Sequence, residues 1–391
     1  MKKTIVIFIG GYLPGKKYGG PVTSLENFSN QMCDKYNIRI ICSDHDFKEN
    51  RRYEGIIDGW NSVGNAQVYY TNENQYTYDN FMKIIKPFEH EIELFYLSGI
   101  YYIKMNYFAI RVAEKLGITV LLAPRGDLMK NTIEMNNKAK MIKKLIFLKV
   151  VKMFKVFDNI YFQSTSEEET FGLKNYLNVN SERIIELPNM TRGRSLVNKK
   201  MKNKDEIRIM FISRLMVKKN LYFALEVIEK IDEKYRVIFD IYGPQEDYDY
   251  FKKCEDKIEK INNLNSNCTI FYKGSLDPSE AKNVYSKYDC FLFPTKSENY
   301  GHVIVEAMFS NCPVILSKGT TPWDDYDKNG GYVISLENKD EFVKCLEDIA
   351  HMDELEYSNL ILLNKKYIEN KFRVEELKQE YINMINIISK R

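Results

Sequence analysis

Two glutamates, Glu298 and Glu306, stand eight positions apart in SENYGHVIVEAM, between the apolar runs CFLFPT and PVILS. A carboxylate accepts two hydroxyl donors, so acids at a loop-to-helix junction suit the diols of a ribose or a hexose. Gly301 and His302 are expected to open the helix, whose N-terminal end favours phosphate or polar sugar groups. An acid buried among VIVEAM is costly unless paired, so a structural ion pair competes for Glu306. Upstream, FISRLMVKKN places Arg214 just after an apolar run and Lys219 five positions later. A planar guanidinium fork and a compact ammonium could together neutralise a departing diphosphate. A solvated basic surface would look the same in sequence. The third candidate is GGYLPGKKYGGP, residues 10–21, with five glycines in twelve positions. Such a loop before a helix can present amides to an anion or a sugar, or can simply make a tight turn. It is neither a Walker loop, since Lys16 is followed by Lys17, nor spaced as a dinucleotide fingerprint.

Placing these residues requires strands that end beside them. Short apolar runs alternate with amphipathic stretches along the whole chain: KTIVIFI, IRIICS, QVYY, IELFYLS, ITVLLAP, NIYFQST and RIIELPN in the first half, then IRIMFIS, YRVIFDIYG, TIFYKG, CFLFPT, PVILS and GYVIS. That pattern predicts parallel sheets covered by helices on both faces. The polar stretch VNKKMKNKDE reads as an interdomain linker, or as a solvent loop inside one domain. The resulting expectation is a domain over 1–197, a linker at 198–206 and a second domain over 207–371. A C-terminal helix at 372–391 is expected to return to the first domain. In open parallel sheets ligands bind beyond the carboxyl ends of strands. The candidates fall there: Gly10–Gly20, Arg125, Asn189, Arg214, Gly243, Gly274 and Glu298. Two such domains would face one another across a cleft.

The 391 residues carry 57 basic and 54 acidic side chains, a balance that argues against a nucleic-acid partner. The run IVIFI after two lysines is too short for a secretion signal and reads as a first strand. No stretch has the length of a membrane span. Seven scattered cysteines form no Cys-x-x-Cys pair, as expected of thiols in a reducing cytosol. The four histidines, His45, His90, His302 and His351, show no metal-ligand spacing. Acid pairs around Asp247 and Asp249 and from Asp324 to Asp327 imitate an Asp-x-Asp metal motif but read better as solvated turn acids. Residues 136–157 carry seven lysines and no acid, with apolar residues over a broad helical face. This is either an interfacial helix drawn to anionic lipids or a buried helix with a basic rim.

Taken together, ENYGHVIVE at 298–306, SRLMVKK at 213–219, the asparagine of LPN at 189 and the pair Gly19-Gly20 resemble retaining glycosyltransferases of family 4. The resemblance runs over nearly the whole chain, and APRGDL at 123–128 is similar to a branch that builds surface polysaccharide or lipopolysaccharide. It implies the α/β GT-B fold, with two Rossmann-like domains facing across an interdomain cleft. It also implies roles. Arg214 and Lys219 would hold a nucleotide diphosphate, Glu306 the ribose, and Glu298 the donor sugar. Asn299, Tyr300, Gly301 and His302 would line the donor, with Gly243 and Leu276 around the base and Gly19 and Gly20 at the first loop. Arg125, Gly126 and Asn189 would line the acceptor or cleft side. The donor would be a UDP or GDP sugar, with no further cofactor and no metal. The acceptor would be a glycan, in one version polyprenyl-diphosphate-linked, met by a cytoplasmic protein at the inner membrane face. Two departures matter: Ser98-Gly99 stands where relatives carry a sugar-contacting histidine, and Tyr300 where phenylalanine is common. The implied mechanism is front-face attack, with the departing diphosphate taking the acceptor proton. A sugar-nucleotide epimerase of the same architecture and a non-catalytic sugar-nucleotide scaffold remain alternatives.

Overall fold

KTIVIFI forms β1 (Lys3–Ile9), and its last six residues are all buried. Val6 and Phe8 enter one apolar cluster, whereas Ile5, Ile7 and Ile9 enter another. A strand apolar on both faces must lie inside a covered parallel sheet. The computed structural model describes residues 2–15, 17–129, 133, 138–191, 201–276, 283–371 and 373–390. The proposed linker at 198–206 and the start of the lysine-rich segment at 136–157 lie partly outside these residues, as does most of the stretch PSEAKN.

The chain divides into two units, Met1–Thr191 with Val374–Arg391, and Arg192–Arg373. In the first, helix α1 (Gly20–Met32) leads to β2 (Tyr36–Ser43), β3 (Trp60–Val63) and β4 (Ala66–Thr71). Helix α2 (Tyr78–Ile85), β5 (Ile92–Ser98), α3 (Ile103–Leu116) and β6 (Thr119–Ala123) follow. Then come α4 (Lys138–Met153), β7 (Tyr161–Ser164), α5 (Glu167–Leu177) and β8 (Ile184–Glu186). The eight strands order as β3-β4-β2-β1-β5-β6-β7-β8, and only β3 runs antiparallel, against β4. Glycine or asparagine in the left-handed conformation stops α3 and α5, at Gly117 and Asn178.

The second unit contains β9 (Glu206–Ile212), α6 (Leu221–Ile228), β10 (Arg236–Tyr242), α7 (Tyr248–Leu264) and β11 (Cys268–Tyr272). It continues with β12 (Cys290–Phe293), α8 (His302–Phe309), β13 (Val314–Ser317), β14 (Tyr332–Ile334), α9 (Lys339–His351) and α10 (Glu354–Lys371). Its six strands are all parallel, ordered β11-β10-β9-β12-β13-β14. Strand order therefore reverses at β1 and β5 in one sheet and at β9 and β12 in the other. These switch points leave crevices between diverging loops.

The last helix, α11 (Val374–Ser389), belongs to the first unit. Tyr381 stacks edge-on against Phe28, accepts from Gln163 Nε2 at 2.6 Å and donates to the Pro188 carbonyl at 3.0 Å.

Candidate functional site

The loops after β9 and β12 meet at the switch point of the second sheet. Asn220, in the left-handed region at φ 61°, donates from Nδ2 to the Pro294 carbonyl at 3.0 Å. The Lys296 amide donates to the Lys218 carbonyl at 2.9 Å, and Thr295 Oγ1 to the same oxygen at 3.2 Å. These bonds fix the short helical turn carrying Lys219 against the loop carrying Glu298. A third loop, after β13, joins them: the Glu298 amide donates to the Thr320 carbonyl at 2.8 Å, and Ser317 Oγ to the Thr295 carbonyl at 2.5 Å.

Within this frame Lys219 Nζ donates directly to Glu298 Oε2. Their side chains are 12% and 19% exposed, and the ammonium also lies 5.3 Å from the Phe293 ring centroid. Burial alone would push the Glu298 carboxyl up. The charge and hydrogen bond of Lys219, with Lys218 nearby and the Asn299 amide donating at 3.1 Å, outweigh it and hold the group below its ordinary value. Glu298 is therefore a carboxylate, and its charge is spent on Lys219. Spacing could not reveal this contact, because 79 residues separate the partners.

Arg214 has a different partner. It is 45% exposed and bonds Glu246 at 3.1 Å, in the loop after β10. The two loops run side by side, with the Leu215 amide donating to the Pro244 carbonyl at 2.9 Å. Gly243 makes this possible: at φ 135°, a Cβ there would sit 1.7 Å from the Ser213 carbonyl oxygen. The Gly243 carbonyl accepts from Tyr272 Oη at 2.9 Å, and Leu276 packs at the edge of the core nearby in sequence.

Gly301 caps α8 in the left-handed conformation, at φ 73° and ψ 66°. A side chain there would press within 2.6 Å of Ile304 Cδ1 and 3.1 Å of Glu298 Cγ. Tyr300 is buried, its carbonyl accepting from Trp323 Nε1 at 2.7 Å, and its ring meets His302 at 4.8 Å. Asn299 and Glu298 thus precede a helix start whose dipole end is positive. Glu306 lies on α8 and accepts from the buried Tyr285 hydroxyl at 3.1 Å. Burial, and then the negative charge of Glu306, push the Tyr285 hydroxyl well up. Tyr285, Asn220, Thr295 and Thr320 are positioning residues that sequence reasoning did not single out; the PT of CFLFPT was the available signal for Thr295.

In the first unit, Gly19 (φ 68°, ψ −142°) precedes α1, and Gly20 is its first residue with Pro21 behind. Arg125, itself at φ 59°, donates to Asn189 Oδ1, to Tyr96 Oη at 2.7 Å and to Ser98 Oγ at 3.4 Å. The Gly126 amide donates to Glu169, which also accepts from the Thr165 amide at 2.9 Å. Burial pushes the Glu169 carboxyl up despite these bonds, and pushes Asp127 up to about 7. Arg125, Gly126 and Asn189 thus belong to one polar cluster at the ends of β5, β6 and β8.

The acidic turn residues have local partners. Asp247 caps α7 by accepting from the Tyr250 amide at 3.1 Å, Asp324 accepts from the Gly319 amide at 2.9 Å, and Asp325 pairs with Lys371 at 2.6 Å. Among the described residues no group of three or more His, Cys, Asp or Glu is placed to hold a metal ion. Among the same residues no helix is long and apolar enough to cross a membrane.

Two Rossmann-like sheets of this order define the GT-B fold, and solved structures of that class match along the chain. Anabaena HepE, crystallised with UDP and glucose, aligns with a TM-score of 0.70 and 13% identity over 98% of this chain and 99% of its own. A glycosyltransferase from Rickettsia africae aligns at 0.71 and 12% identity, over 100% and 99%. Residues 194–366 match the family described as Glycosyl transferases group 1. A protein from the cps region of Klebsiella pneumoniae is 26% identical over 184 residues, 46% of each chain. The processive diacylglycerol alpha-glucosyltransferase of Acholeplasma laidlawii is 29% identical over 124 residues, 29% of this chain and 34% of its own. The chain thus spans less than half the length of these two curated relatives.

Proposed function

We propose that this chain is a retaining, metal-independent glycosyltransferase of family 4 that moves a hexose or related sugar from a UDP or GDP sugar to a growing surface glycan. The observation that carries the reading is the Lys219–Glu298 pair, held at the switch point of the second sheet beside the α8 start. The family match over 194–366 covers the same unit.

In this reading Lys219 and Arg214 stabilise the negative charge that develops on the departing diphosphate. Lys219, held by Glu298, and the more exposed Arg214, paired with Glu246, supply the positive charge in this reading. Glu298 is a positioning carboxylate: it orients Lys219 and offers its remaining lone pairs to donor hydroxyls. Glu306, steadied by Tyr285, takes the ribose diol. Gly243 and Leu276 border the base, Asn299 to His302 the donor sugar, and Gly19 and Gly20 the donor from the first loop. Arg125, Gly126 and Asn189 serve the acceptor side. A carboxylate committed to an ammonium is a poor nucleophile, which favours attack on the donor's own face over double displacement. The cps region of the Klebsiella relative supports a surface-polysaccharide setting, and the name of the Acholeplasma relative supports an acceptor built on lipid, such as a polyprenyl diphosphate.

The test is product analysis of the purified full chain with UDP and GDP sugars and lipid-linked glycan acceptors, with and without EDTA. Free nucleotide appearing only with acceptor, an extended acceptor with retained anomeric configuration, and indifference to EDTA are expected. An altered nucleotide sugar without acceptor would make the chain an epimerase; binding without turnover across competent acceptors would make it a scaffold.

A further inference from the structure

Helix α4 (Lys138–Met153) is apolar on two opposite faces. Leu148 and Val151 are buried in the core of the first unit, with Met141 and Phe147 packed beside them. Those residues satisfy the helix's structural need. Ile142, Leu145, Ile146 and Val150 nevertheless point outward, followed by Met153 and Phe154, which are 67% and 69% exposed. At 100° per residue the first five of these fall on one face. The Phe154 amide donates to the Val150 carbonyl at 3.0 Å, so its ring extends the same helical turn.

Charge says what covers this face. Lys143 and Lys152 flank this face, Lys149 lies within it and Lys155 follows the helix; all four are exposed, and no acid occurs from 138 to 157, the first being the exposed Asp158. Lys144 lies apart, 5.2 Å from the Tyr101 ring centroid. A protein partner's apolar patch would meet these ammonium groups only with added carboxylates. A bilayer with anionic headgroups matches both features at once, since aliphatic side chains enter the acyl boundary while long lysine stems keep their charges among the phosphates.

We propose that the outer face of α4 is a docking surface for an anionic lipid bilayer, with Met153 and Phe154 as its most deeply inserted side chains. The proposal does not depend on the donor chemistry. It would place the first unit against the membrane that carries a lipid-built acceptor.

Co-sedimentation of the full chain with phosphatidylcholine vesicles, and with vesicles one-third phosphatidylglycerol, tests it. Binding to the anionic vesicles is expected, weakening with salt. K149E/K152E is expected to lower the partition coefficient about tenfold or more. I146S/F154S keeps the charge and is expected to weaken binding by a similar factor. All four positions are exposed, so thermal unfolding should be unchanged; a variant that melts early is replaced by K149Q or F154S alone. Equal binding to neutral vesicles, no binding to either, or wild-type binding by both variants would overturn the proposal. So would a dimer in sedimentation velocity that I146S/F154S dissociates, since a second copy would then occupy the face. Loss of transfer to a soluble acceptor is not an expected outcome, so failure here leaves the donor-site reading separately testable.

Discussion

At the scale of single residues, the site is organised by one ion pair rather than by two acids. Lys219 and Glu298 are mostly out of water, so removing one leaves the other buried and unmatched. Lys219→Met is expected to destabilise the second unit by about 3 kcal/mol. The double variant Lys219→Met/Glu298→Leu should recover most of that stability yet stay inactive. Urea unfolding and donor turnover on wild type, Lys219→Met, Glu298→Leu and the double variant separate the two effects; a double variant as unstable as Lys219→Met would remove the pair from the argument. The pH dependence follows from the same contact. The folded carboxyl of Glu298 lies below its unfolded value, so its contribution is complete above the ordinary carboxylate range. It is lost as pH falls through the depressed folded value. Wild type should therefore lose stability on acidification faster than Glu298→Gln, as melting temperature against pH would record. Tyr285→Phe takes away the hydroxyl that steadies Glu306. It is expected to raise KM for the donor about three- to tenfold with little change in kcat. A fall in kcat at constant KM would contradict the ribose role.

At the scale of elements, the strands were legible because covered parallel strands are continuous apolar runs. KTIVIFI and IELFYLS coincide with β1 and β5. The glycines named from sequence also sit where backbone demands them, at Gly243 and Gly301. Less could be read where the signal is mixed. WNSV forms β3, but it is a short, half-exposed edge strand without alternation, and YDNFMKII forms α2 in a segment too polar at its start to stand out. The partners of Glu298 and Arg214 were illegible for another reason: loop-to-loop contacts depend on which strands are neighbours, and strand order is not written in periodicity. The loop pairing between β9 and β10 gives a direct test. Gly243→Ala places a methyl on the Ser213 carbonyl at a φ that L residues avoid, and should cost more than about 2 kcal/mol while displacing Arg214. A variant with wild-type melting and donor affinity would show that the loops can separate freely.

At the scale of the whole molecule, the chain finishes its second sheet and then returns to complete its first unit. Helix α11 buries Leu377, Tyr381, Met384, Ile385 and Ile388, all in the cluster that contains Ile5, Ile7, Phe28 and Tyr96. Tyr381 also closes a buried polar chain. Arg125 donates to Tyr96, Tyr96 to Gln163, and Gln163 to Tyr381, whose hydroxyl donates to the Pro188 carbonyl. Asn189, next to Pro188, accepts from the same Arg125. The last helix therefore supports the residues assigned to the acceptor side, although its contact with Pro188 spans 193 positions of sequence. Tyr381→Phe keeps the ring but leaves Gln163 Nε2 and the Pro188 carbonyl each short of a partner, at a cost of about 1–3 kcal/mol. A chain ending before Val374 should lose far more, because five apolar side chains leave the core together. Because the second unit has its own core, the loss should be confined to the first. Hydrogen exchange on the truncated chain should show rapid exchange in β1, β5 and α1 with protection retained in β9 and β12. Uniform loss of protection in both sheets would mean that the units do not fold as separate cores.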